Sequence, residues 1–206
     1  MTNHRPRFLA SLCAGFIAVA GLAGAQSIDS DAALAQFTND HPFAGVYRPN
    51  GDRISRVYGR AFSHGATPDA SANAFIQQYA AMLGVPGADL VTAAWDDRNS
   101  HHQGAMYDPA TGEFTFTVLR YQQMRNGIPV FRSGMRLMVR NEPGYPLVLA
   151  STDLRPLGDF NPQAAGGIGM GMGTNGLNRA QNTLRREMGA GTVFTQAERM
   201  IFAGVD

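Results

Sequence analysis

Asn126-Gly127 lies between two runs rich in apolar residues, and it fixes more of this chain than any other pair. Both positions tolerate a left-handed backbone, so the pair is the preferred centre of a two-residue type I′ hairpin turn. That turn sets Arg125 opposite Ile128. Carried outward without interruption, it pairs Val118 with Met135, Phe116 with Leu137 and Phe114 with Val139. All six residues are apolar and share one face, while the other face pairs Thr117 with Arg136 and Thr115 with Met138. A slip of one residue would exchange the faces, so turn and burial pattern predict the same register.

The flanking segments extend this hairpin into a meander. Asp108 to Gly112 and Glu142-Pro143-Gly144 read as turns, with short strands at Ala105 to Tyr107 before the hairpin and at Pro146 to Ser151 after it. Ile54 to Phe62 reads as a further strand. Thr67-Pro68-Asp69 has the form of a helix start: an N-cap, a proline at the first helical position and an acid in the first turn. Phe75, Ile76, Tyr79, Ala80 and Leu83 form its apolar stripe, and Gly84 and Pro86 end it. The expected fold class is therefore α+β, an antiparallel β-meander packed against one amphipathic helix.

Residues 26–53 are polar and poorly periodic and read as an irregular lead-in to a domain over 54–160. Residues 161–176 read as a glycine-rich linker. Beyond it, Leu177 to Met188 has helical spacing and Arg199 to Ala203 reads as a strand, an incomplete second α+β module over 177–206.

The N-terminus carries an export pattern. Arg5 and Arg7 precede 18 uncharged residues, Phe8 to Ala25, which end in Ala23-Gly24-Ala25. A signal peptidase accepts such a small-x-small site and would cut between Ala25 and Gln26. The competing reading, an uncleaved anchor, is weakened by the run's Ala and Gly content and marginal length. Cleavage leaves 181 residues with neither cysteine nor lysine, and fifteen arginines against sixteen acidic residues. Disulfides are thereby excluded, and a formal charge of −1 gives no footing for nucleic-acid binding. A secreted or periplasmic product without a stable membrane anchor is expected.

Catalytic patterns are sparse. No His-Glu-x-x-His occurs, nor a G-x-S-x-G elbow. His41 and His64 are isolated. His101-His102 stands near Asp96 and Asp97, but adjacent histidines on an extended backbone point to opposite sides, so no metal site is expected. Gly167-x-Gly169-x-Gly171-x-Gly173 lacks the preceding strand of a dinucleotide loop. No catalytic residue and no cofactor are assigned. Arg120, Arg125, Arg132, Arg136 and Arg140 give the hairpin a cationic surface, read as solubility and edge protection, or else as a dock for an acidic partner.

Tyr121-Gln122-Gln123, a two-residue step, then Asn126-Gly127-Ile128-Pro129-Val130-Phe131 resembles the signature of the fungalysin/thermolysin propeptide (FTP) domain. Ala72 to Gly84 resembles the helix that precedes this hairpin, and the similarity spans about Thr67 to Leu157. Leu177 onward is similar to the start of a PepSY domain. Met124-Arg125 replaces the family's Thr-Tyr step, and Arg132 stands where a glycine is usual. The resemblance implies a non-catalytic propeptide that assists folding of a secreted zinc metallopeptidase and keeps it inactive. The partner would be a metallopeptidase catalytic domain, in cis or in trans, and the chain reads as one that stops before such a domain. A stand-alone exported protease inhibitor is the alternative.

Overall fold

The computed structural model describes residues 28–49, 53–95, 100–162, 174–189 and 200–204. The expected cleavage site and residues 163–173 of the expected linker lie outside these. The fold is α+β. Seven antiparallel strands form one sheet: β1 (Gly45–Tyr47), β2 (Arg56–Ser63), β3 (Leu90–Thr92), β4 (His102–Asp108), β5 (Glu113–Arg125), β6 (Ile128–Arg140) and β7 (Leu147–Thr152). Their order is β1-β2-β7-β6-β5-β3, and β4 also pairs with β5. The 13-residue β5 thus serves two neighbours along one edge, β4 over its first half and β3 over its second.

Two helices cover one face of the sheet, not one. Helix α2 (Pro68–Tyr79) begins where the sequence places it: Thr67 Oγ1 accepts from Ala70 N at 3.1 Å and Pro68 opens the first turn. Its stripe of Phe75, Ile76 and Tyr79 is buried, a 3-10 turn carries Ala80 and Leu83 inward, and Gly84 closes it at φ 74°. Helix α1 (Ser30–Asp40) and β1 replace the expected irregular lead-in. Asp29 caps α1 by accepting from Ala32 N at 2.9 Å. Phe37 anchors it with no exposure, its ring 5.4 Å from that of Phe62 and 5.0 Å from that of Tyr79. One buried phenylalanine makes too narrow a stripe to register as periodicity.

The hairpin register is correct at the turn and wrong beyond it. Asn126 and Gly127 take φ values of 52° and 76°, as a type I′ turn requires, and Arg125 faces Ile128. Then β5 spends one residue, Gln123, where β6 spends four, Val130 to Ser133, and pairing resumes with Gln122 opposite Gly134. Val118 therefore faces Met138, and Phe116 faces Arg140, instead of Met135 and Leu137. Because the offset is odd, β5 turns its other face inward. The core row across the sheet is Val57, Ala150, Leu137 and Leu119, all fully buried. Phe114, Phe116 and Val118 lie on the outer face.

Two backbone features hold this bulge. Arg132 adopts φ 51°, the left-handed conformation that favours glycine, at the position where the resembled signature usually has one. Gly134 passes so close to β5 that a Cβ there would meet the Tyr121 carbonyl oxygen at 2.9 Å.

Helix α3 (Thr174–Met188) starts three residues before the expected boundary. The expected strand at 199–203 is instead a single parallel bridge: Ile201 pairs with Val130 and is itself buried. Through this bridge Ile201 meets the hairpin strand β6. Among the described residues, no helix is long and apolar enough to cross a membrane.

Candidate functional site

The motif residues converge on the bulge. Gln123, opposite Leu90 of β3 but without a partner residue on β6, is fully buried and bridges the gap on the β6 side with its side chain. Its Oε1 accepts from Ser133 Oγ and from Arg155 N at 2.8 Å, and its Nε2 donates to the Arg155 carbonyl at 2.7 Å. Neighbouring Gln122 stays in the ladder, opposite Val91 and Gly134. Val130 is buried, while Pro129 and Phe131 grip the C-terminal segment: Ile201 N donates to the Pro129 carbonyl and Phe131 N to the Ile201 carbonyl, both at 2.8 Å. The Phe131 ring then stacks near Phe202, 5.9 Å away. Asn126 reaches across to Asn161 at 3.3 Å. Arg125, a departure from the signature, makes a nearly buried ion pair with Asp89 at 2.8 Å and holds the Gly158 and Phe160 carbonyls. Tyr121 is buried with its hydroxyl unpartnered, and burial together with the Asp69 charge pushes its pKa up to about 12.

On the outer face two rows run side by side. Tyr58, Leu149, Met138 and Val118 form an apolar row, from half-buried to exposed. The next row is Arg56, Ser151, Arg136 and Arg120. Arg120 directly opposite Arg136 is a repulsive cross-strand pair. Trp95 relieves it, since both guanidiniums lie over its indole ring, at 5.6 and 5.7 Å. A groove of about 480 Å³ opens beside the bulge, where Arg120, Arg132, Arg136 and Arg155 outnumber one carboxylate, Asp153. Such a surface can bind acidic groups while burying apolar area. It was only half legible in the sequence, because the row assembles arginines from three strands.

The histidines are arranged otherwise than expected. His101 and His102 do not point apart; their ring centroids are 4.2 Å from each other. Both Nε2 atoms face the carboxylate of Asp69, at 2.7 and 2.9 Å. Burial alone would raise the Asp69 pKa, but the two imidazole hydrogen bonds outweigh it and the carboxyl lies below its ordinary range. Asp96 and Asp97, the acids nearest in sequence, fall outside the described residues. His41 donates into a second polar chain through Tyr79, whose hydroxyl is 2.9 Å from His41 Nε2 and donates to Asp40 at 3.1 Å. That chain ties α1 to α2. Burial lowers the His41 pKa, partly offset by Asp40, and pushes Tyr79 up to about 12, with Asp40 adding to the rise.

No protein-family model, no curated protein and no solved structure matches this chain.

Proposed function

We propose that this chain is the exported pro-region of a zinc metallopeptidase, a non-catalytic module that assists folding of the catalytic domain and holds it inactive. The observation that carries this reading is the device formed by the motif residues. A turn at Asn126-Gly127, a buried Gln123 and a buried Val130 are jointly needed to build one bulge. The resemblance to the FTP signature therefore rests on residues with a common physical task. The outer face supports the same reading, because an apolar row beside an arginine row suits a folded partner with an acidic surface. Helix α1 begins five residues after Ala25, so cleavage there would free the ordered domain intact.

The same face would serve equally in trans, which keeps the stand-alone inhibitor as the second reading. One set of measurements separates them. The expected result is a His-Glu-x-x-His peptidase encoded in the reading frame beyond Asp206 or in an adjacent gene, inhibited by the purified mature chain and refolding better in its presence. Inhibition of a peptidase encoded elsewhere, without help in refolding, would favour the stand-alone inhibitor. Absence of such a gene, with no inhibition of any thermolysin-like peptidase tested, contradicts both.

A further inference from the structure

We propose that Asp69, His101 and His102 form a binding site for a divalent transition-metal ion of the zinc class. Asp69 lies 32 residues before the adjacent His101 and His102, yet one ligand atom from each of the three lies within 4.8 Å of the others. Around a tetrahedral ion with bonds of about 2.0–2.1 Å, neighbouring ligand atoms sit roughly 3.3 Å apart. His101 Nε2 lies 2.7 Å from Asp69 Oδ1 and His102 Nε2 2.9 Å from Oδ2, and with all three ligand atoms within 4.8 Å of one another, side-chain rotation alone brings them to that spacing. The ion would take the place of the imidazole protons now shared with the carboxylate.

The backbone that carries these ligands is held on several sides. The His101 carbonyl accepts from Arg120 N at 3.0 Å and from Trp95 Nε1 at 2.9 Å. His102 N donates to Ser100 Oγ at 3.2 Å, and its opposition to Leu119 turns it toward the face that α2 covers. Asp69 sits in the capped first turn of α2. These bonds explain why adjacent histidines converge here, and they lower the entropy lost on binding. The ligand side chains are 27, 38 and 39 % exposed, enough for an ion to enter and retain water at its open position.

Two imidazoles and one carboxylate select Zn²⁺, Co²⁺, Ni²⁺ or Cu²⁺ over Mg²⁺ or Ca²⁺, which prefer oxygen ligands. Occupancy would clamp the start of α2 to the start of β4. This inference is independent of the pro-region reading.

The test is titration of the tag-free mature chain with Zn²⁺ by calorimetry, and with Co²⁺ by visible absorption. One equivalent should bind with an affinity on the order of micromolar, weaker than closed four-ligand structural sites. In wild-type protein, Zn²⁺ should shift the imidazole resonances of His101 and His102 and leave His64 unmoved. His101→Gln and His102→Gln, each checked for an unchanged circular dichroism spectrum in chelator, should each weaken binding by ~10-fold or more. If one variant fails to fold, the other and the wild-type resonances decide. Absence of binding at millimolar Zn²⁺, or binding that moves neither histidine and survives both substitutions, overturns the proposal.

Discussion

Gln123→Met removes three hydrogen bonds from the bulge while nearly conserving side-chain volume. The bonds run from Ser133 Oγ and Arg155 N to Oε1, and from Nε2 to the Arg155 carbonyl. Each is worth about 1 kcal/mol net, and a buried group left unsatisfied costs about 1–3 kcal/mol. Ser133 is buried and the Arg155 backbone only half-buried, so the expected loss is about 3 kcal/mol. Methionine avoids the cavity that alanine would leave, so the figure reports hydrogen bonding and not packing. Against a domain stability of ~5–15 kcal/mol this is a large fraction. In urea, with a slope of ~2 kcal/mol per molar, the midpoint should fall by about 1.5 M. Ser133→Ala, which deletes one bond, should cost about 1 kcal/mol. A loss below about 1 kcal/mol for Gln123→Met would refute the claim that this side chain holds the bulge.

Arg125→Met should destabilise by about 3 kcal/mol in the same urea assay, because it leaves the nearly buried Asp89 carboxylate without its partner; Asp89→Asn added to it should recover part of the loss. In spectrophotometric titration, Tyr79 and Tyr121 should ionise only near pH 12, and Tyr79→Phe and Tyr121→Phe should each remove one late phenolate. Since the folded pKa of each exceeds the ordinary value near 10, their contribution to stability is full below about pH 10 and is lost as pH rises toward 12. Exported protein should begin at Gln26 by N-terminal sequencing; retention of Arg5 and Arg7 in the mature product would contradict signal cleavage.

What could be read in advance depended on how local its determinants were. Thr67, Pro68 and Gly84 punctuate α2 within its own sequence, and Asn126-Gly127 encodes its turn in two residues. The register beyond the turn was not legible, because the bulge is closed by Arg155, 32 residues from Gln123. Composition also misled: Phe116 and Val118 are apolar, yet it is Leu119 and Tyr121 of the alternate set that β5 buries in the core. Arg132 was the one local hint, a bulky residue where the resembled signature has glycine, now found at φ 51°. Helix α1 was hidden because it commits only Phe37 fully to the core. Asp69 lies 32 residues before His101, so spacing alone could not join it to the histidines.

The pro-region reading is tested most directly by refolding a chemically denatured thermolysin-like metallopeptidase catalytic domain with and without the purified mature chain. Recovered activity, assayed after the chain is removed by proteolysis, should rise severalfold with a stoichiometric amount. Before removal the complex should be inactive, and Arg120→Ala with Arg136→Ala should weaken both effects. Equal recovery with and without the chain, together with full peptidase activity in its presence, would contradict the reading.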